Sequence, residues 1–170
     1  MAEAPQAPRK RYITKNGFER LREKFRRLLN EERPRVTREV TVAAAHGDRS
    51  ENYEYKLGKR KLREIDAQLH RLQKALEAYE VIDPATRPPT PKAFFGATVL
   101  VEDEDGKEVC YQIVGSDELT AEFETPGGPH RISHDAPIGR ALLGKKAGET
   151  AIVKRPAGEV EYQVLQVRWL

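Results

Sequence analysis

The stretch that decides the fold is LREIDAQLHRLQKALEAY, residues 62–79. Leu62, Ile65, Leu69, Leu72, Leu76 and Tyr79 alternate by three and four throughout, the spacing of a coiled-coil seam. An earlier stretch, FERLREKFRRLL at 18–29, repeats the pattern with Phe18, Leu21, Phe25 and Leu28. Opposed in mirror order, Phe18 with Tyr79, Leu21 with Leu76, Phe25 with Leu72 and Leu28 with Leu69, the residue numbers always total 97. Two helices folded back on each other produce this relation, with the bend at half the total, between Asp48 and Arg49. No residue near that bend contributes to the pattern that locates it.

Working outward, Thr14 is a plausible N-cap of the first arm. Pro34 removes one helical hydrogen bond and should bend or divide that arm. Toward the bend the seam loses bulk: Ala43, Ala44 and Ala45 lie on one arm and Gly58 at a seam position on the other. A glycine inside a helix costs about 1 kcal/mol relative to alanine, so a reason of clearance is expected. An arm of roughly 30 residues would extend about 45 Å.

The totals suit such a slender element. The chain has 170 residues, 34% of them charged and only 7% aromatic, so large buried surfaces are scarce. No apolar run is long enough to span a bilayer and no signal peptide is present, so a cytoplasmic location without membrane contact is expected. The single cysteine, Cys110, sits in a strand-like context and reads as a core thiol. The net charge of +3 is unevenly shared. Residues 1–83 hold 20 Lys and Arg against 14 Asp and Glu, while residues 84–170 hold 10 against 13. The first half is the one suited to a polyanion.

Beyond Asp83-Pro84-Ala85-Thr86-Arg87-Pro88-Pro89-Thr90-Pro91, a stiff helix-breaking linker, the apolar period changes to two. GATVLVEDED and KEVCYQIVG flank an Asp105-Gly106 turn; GGPHRIS is a loop running into a short strand; APIGRALLGKKAGE reads as a short helix closed by glycines. ETAIVKR and GEVEYQVLQVRWL form a last hairpin around Pro156-Ala157-Gly158. The expected fold is α+β in two domains: a flexible tail over 1–11, an antiparallel coiled-coil hairpin over 12–82 with its tip at 47–52, a linker at 83–92, and a small antiparallel sheet with one helix over 93–170. His130 and His134 are four apart, but Pro129 and the strand signal argue against a helical metal pair, and His46 and His70 read as surface residues. The chain has no phosphate loop, dinucleotide fingerprint or nucleophile elbow.

The tip itself, GDRSEN at 47–52, has two readings. Gly47 can end the first helix, and Asp48 can cap the second with Glu51 completing a capping box. Alternatively, two carboxylates three residues apart on an exposed tip repel each other, and a divalent cation would relieve the repulsion. Magnesium usually takes only one or two protein carboxylates, so such a pair could complete another molecule's site but not make its own. Behind the tip Lys56, Lys59, Arg60 and Arg63 form one basic stripe. Its like-charge pairs cost an isolated helix about 0.2–0.5 kcal/mol each, which a nucleic-acid backbone would convert into binding.

GDRSEN at 47–52 followed by GKRKLREID at 58–66 resembles the bacterial Gre transcript cleavage factors, the Arg49 form of the tip inclining toward the GreB branch. ITKNGFERLREK at 13–24, ERPRV at 32–36, IVGSDE at 113–118, PIGRALLGKKAGE at 137–149 and PAGEVEYQV at 156–164 extend the resemblance over almost the whole chain. It implies a coiled coil joined to an FKBP-like domain, and insertion of the coiled coil into the secondary channel of a backtracked bacterial RNA polymerase. There Asp48 and Glu51 would help hold a magnesium ion shared with the polymerase, whose own active site hydrolyses the nascent RNA 3′ end. Ser50 and Asn52 would position the tip, and Arg49, Lys56, Lys59, Arg60, Lys61 and Arg63 would contact nucleic acid. The chain would then be a monomeric accessory factor with no cofactor of its own, and not an enzyme by itself. Two departures from the family pattern are Ala136-Pro137 after the Ile-Ser strand and a long preceding loop, LTAEFETPGGPH. The alternatives are an inhibitory Gre relative that occupies the channel, and a prolyl isomerase carrying a coiled-coil arm. The second would need an aromatic pocket drawn from Phe94, Phe95, Tyr111, Phe123 and Trp169.

Overall fold

A computed structural model describes residues 11–47, 52–88, 90–121 and 124–169. The chain divides into two compact units, Phe18–Ala78 and the pair of segments Met1–Gly17 and Tyr79–Leu170.

The first unit is a helical hairpin. Its first arm is α1 (Lys15–Arg27), a single wide π turn (Leu28–Glu32) and α2 (Arg33–Ala45); its second arm is the uninterrupted α3 (Tyr53–Ala78). The wide turn is the answer to Pro34. In an α-helix the proline ring would strike the carbonyl four residues back, and loosening the preceding turn, where the Arg33 N–H donates to Leu28 O, makes room for it. Leu28, Val36, Ile65 and Leu69 are buried between the arms, with Phe25, Val40, Leu62 and Leu72 packed around them. Gly58 has a clearance reason. A Cβ there would lie 2.6 Å from Cγ2 of Val40, so the arms meet closely at this point. Arg33 Nε donates to Asp66 Oδ1 across the seam at 2.7 Å.

The second unit contains two sheets. β1 (Arg11–Thr14) and β2 (Tyr79–Ile82) pair in parallel. Tyr79 therefore closes no helical seam, and the outermost mirror pair, Phe18 with Tyr79, is not a helix–helix contact. The Tyr79–Ile82 segment carries two β-branched residues before Asp83-Pro84, and Arg11–Thr14 gives it a partner. Arg11, placed in the tail by the sequence reading, is the first residue of this ladder; residues 1–10 lie outside the described residues.

The larger sheet holds β3 (Thr98–Glu102), β4 (Glu108–Val114), β5 (His130–Ser133), β6 (Thr150–Arg155) and β7 (Gly158–Arg168), ordered β5-β4-β3-β7-β6. It is mixed, which corrects the antiparallel expectation: β4 and β5 run parallel, Tyr111 opposite His130. A parallel pair needs a long crossover, and the extended LTAEFETPGGPH loop supplies it. Helix α4 (Pro137–Leu142) ends at Gly144, whose φ of 80° is open to glycine at little cost. The core gathers Ala93, Ala97, Val99, Val101, Ile113, Leu142, Ala151, Val153, Tyr162 and Val164. Cys110 on β4 is only half-buried, a sheet residue beside that core and not a member of it.

The segment read as a linker is packed. Pro84–Thr86 forms a 3-10 turn capped by Asp83, which accepts from the Ala85 N–H, and Pro84 is buried against Gly96. Trp169 Nε1 donates to Thr90 O at 3.1 Å. The Lys15 ammonium, 3.1 Å from Asp83, holds that carboxyl below the usual carboxylate range.

One buried acid holds the start of α1, whose residues 15–17 belong to this unit. Glu118 is fully buried; its Oε1 accepts from the Thr14 N–H (2.9 Å) and the Gly115 N–H (3.0 Å), and its Oε2 from the Thr14 hydroxyl (2.5 Å). Arg131 stands 3.6 Å from Oε2, close enough to compensate the buried charge. The Thr14 hydroxyl oxygen in turn accepts from the Gly17 N–H at 3.0 Å, which makes Thr14 the helix cap that the sequence suggested.

Candidate nucleic-acid interface on the helical hairpin

Helix α2 ends at Ala45, with the His46 N–H donating to Ala43 O and Gly47 at a φ of 123°. Asp48, Arg49, Ser50 and Glu51 lie outside the described residues. The chain is described again from Asn52. Its Oδ1 accepts from the Tyr55 N–H at 3.0 Å, so it is the cap of α3. Its Nδ2 donates across the hairpin to Ala43 O at 2.7 Å, joining the two arms. The helix starts at Tyr53, which leaves Asn52 at its cap position; the capping-box reading of Asp48 and Glu51 falls on residues outside those described. One asparagine performs both the cap and the closure.

On α3 all five predicted cations, Lys56, Lys59, Arg60, Lys61 and Arg63, are exposed. They do not form one group. Lys56, Lys59, Arg60 and Arg63 lie on the side away from the seam, as their i, i+3, i+4, i+7 spacing requires. Arg60 Nε sits 3.2 Å from Glu64 Oε1, an ion pair one turn further along the helix. Lys61 lies apart, on a groove whose lining it shares with Arg35, Arg38 and His46, the acids Glu39 and Glu54, and the small or apolar Val42, Ala43, Leu57 and Gly58. Arg35 and Arg38 were not singled out from the sequence. The mirror relation, which sets residues 35–38 opposite residues 59–62, was the signal that could have found them.

The sheet unit offers less chemistry. His130 packs on Tyr111, and His134 stacks edge-on against Tyr12 and Phe95, so the two histidines occupy separate settings. Among the described residues no three His, Cys, Asp or Glu side chains gather as a metal centre. Phe95 packs on Tyr12, Tyr111 on Tyr162, and Trp169 on Arg87 with its Nε1 donating to Thr90 O, while Phe94 is exposed; Phe123 lies outside the described residues. Among the described residues no helix is long and apolar enough to cross a membrane.

Fold and site together define a two-part protein, with a basic helical hairpin as one unit and a small mixed sheet in the other. Residues 11–81 match the N-terminal family model described as transcription elongation factor, N-terminal, and residues 88–168 the model described as transcription elongation factor, GreA/GreB, C-term. The chain belongs to the GreA/GreB family of transcription elongation factors. It is 41% identical over 158 residues to transcription elongation factor GreA of Halorhodospira halophila, covering 92% of this chain and 96% of that one. To transcription elongation factor GreB of Neisseria meningitidis serogroup B it is 40% identical, covering 95% of each. To GreB of Pseudomonas aeruginosa it is 44% identical, covering 92% and 89%. Relatives of both names thus match to a similar degree. Among solved structures, GreA factor homolog 1 of Thermus thermophilus aligns over 94% of this chain and 99% of its own, at 24% identity and a TM-score of 0.41.

Proposed function

We propose that this chain binds a backtracked bacterial RNA polymerase, enters its secondary channel with the hairpin, and stimulates hydrolytic cleavage of the nascent RNA 3′ end by the polymerase's own active site. Family membership supports the transcription role and the polymerase as partner. The observation that carries the tip assignment is the capping by Asn52. With Asn52 capping α3, this reading assigns Asp48 and Glu51 to a partner's cation and not to the helix start.

Two carboxylates fit a magnesium ion only as a partial set, the remaining ligands being water, phosphate or another protein's acids. When shared with the polymerase, that ion supplies a lowered pKa for the attacking water and charge stabilisation for the phosphodiester. In this reading Asp48 and Glu51 contribute negative charge at the reaction centre, Ser50 and Asn52 hold the tip in place, and Arg49 with the α3 cations attracts the RNA backbone. The chain acts as an accessory factor and holds no cofactor of its own.

The deciding experiment is Asp48→Asn in stalled elongation complexes. Asparagine preserves polarity and size but not charge, so helicity should be unchanged while magnesium-dependent cleavage is lost. Cleavage at the parent rate would remove the acid from the mechanism.

A further inference from the structure

Tyr53 is the first residue of α3 and is 74% exposed, a large aromatic ring presented to solvent immediately beyond the tip. A hydroxyl-bearing ring at a helix start can be accommodated without stability reasons to keep it, but Tyr53 is not isolated. Lys56 follows at i+3 and Arg60 at i+7, both exposed, so ring and cations form one stripe on the side of α3 opposite Leu62, Ile65 and Leu69. Lys59 and Arg63 flank it. Asn52 fixes the first turn, so the ring is carried on a settled backbone.

An aromatic plane leading a row of cations is the combination that holds single-stranded nucleic acid: the ring takes a base and the cations take the phosphates behind it. We propose that Tyr53 is a stacking platform for an unpaired base of the extruded RNA, with Lys56 and Arg60 receiving the adjoining backbone. The assignment rests on the cleavage reading above. It makes Tyr53 a positioning residue: it would set how the RNA end is presented without touching the reacting atoms.

The test uses the full chain with backtracked complexes assembled on synthetic RNA, whose extruded terminal nucleotide either carries its base or is abasic. The measured quantity is the factor concentration giving half-maximal cleavage, with helicity checked by circular dichroism. On the base-bearing RNA, Tyr53→Ala and Tyr53→Leu should each raise that concentration about tenfold, the typical loss of one stacked base, whereas Tyr53→Phe should stay within about twofold. On abasic RNA the parent should weaken to the level of Tyr53→Ala, and Tyr53→Ala should not change. Three results would overturn the assignment: Tyr53→Ala equal to the parent, Tyr53→Leu as good as Phe, or a parent-to-Ala difference that persists on abasic RNA, which would place the ring against polymerase. Failure of the parent to stimulate cleavage on either RNA is a different pattern and would remove the cleavage reading together with the stacking one.

Discussion

Gly17→Ala offers a stability test with an unusual sign. In most helices that substitution is favourable by up to about 1 kcal/mol. Here the new Cβ would stand 2.5 Å from Cδ and 2.8 Å from Cγ of Glu118, a fully buried side chain. The carboxylate must shift, and it is held by Thr14 and Gly115 through three hydrogen bonds. A hydrogen bond to a charged group is worth about 1.5–3 kcal/mol, so losing one or two outweighs the propensity gain and leaves a net loss of about 1–5 kcal/mol. At about 4 °C per kcal/mol for a unit of this size, the midpoint should fall by roughly 4–20 °C. The chain has one tryptophan, Trp169, which belongs to this same unit, so its fluorescence reports the relevant transition. In a Glu118→Ala background the obstacle is gone, and Gly17→Ala should there become neutral or stabilising. A Gly17→Ala protein as stable as its parent, or a penalty that survives removal of Glu118, would refute the reasoning.

Asn52→Ala should cost about 1 kcal/mol of hairpin stability in far-UV circular dichroism melts, whereas Asp48→Asn should cost none. Neutralising Lys59, Arg60 and Arg63 together should weaken stimulation on long extruded RNA, more so as salt is raised, with helicity retained. Burial, and then the hydrogen bond its hydroxyl donates to Asp117, push the Tyr79 phenol well above its ordinary value. Its stabilising contribution is therefore complete below the unfolded value of about 10 and lost as pH rises beyond it, so alkaline denaturation should show a component above pH 10 that Tyr79→Phe removes. Val36, fully buried in the hairpin seam, should on truncation to alanine cost about 2 kcal/mol in the same melts.

The hairpin was legible because its information is repetitive: apolar residues at helical spacing on two arms locate the bend without reference to the bend's own residues. The clearance at Gly58, the interruption at Pro34 and the cap at Thr14 were readable for the same reason, each being a local rule with one physical cause. The parallel ladders were not. Whether RYIT pairs with YEVI, or β5 runs along β4 or against it, depends on partners far away in the chain, and short apolar runs look alike in either direction. The length of the loop before His130 is plain in the sequence, but only the topology makes it a crossover. At the tip, Asp48, Ser50 and Asn52 are all competent caps, and no local pattern distinguishes them; the choice of Asn52 follows from the carbonyl of Ala43 waiting on the other arm. The separation of Lys61 from the other cations required knowing where the first arm lies.

The side-by-side pairing of Arg11–Thr14 with Tyr79–Ile82 also bears on the order in which the chain assembles. Strands running in the same direction cannot be joined by a tight turn, and closing a disordered loop as long as the entire hairpin is slow. Helical turns need only neighbours a few positions away. Zipping of the two arms should therefore come first and shorten the search for the ladder, so that a lesion in the seam would delay the pairing of these strands as well.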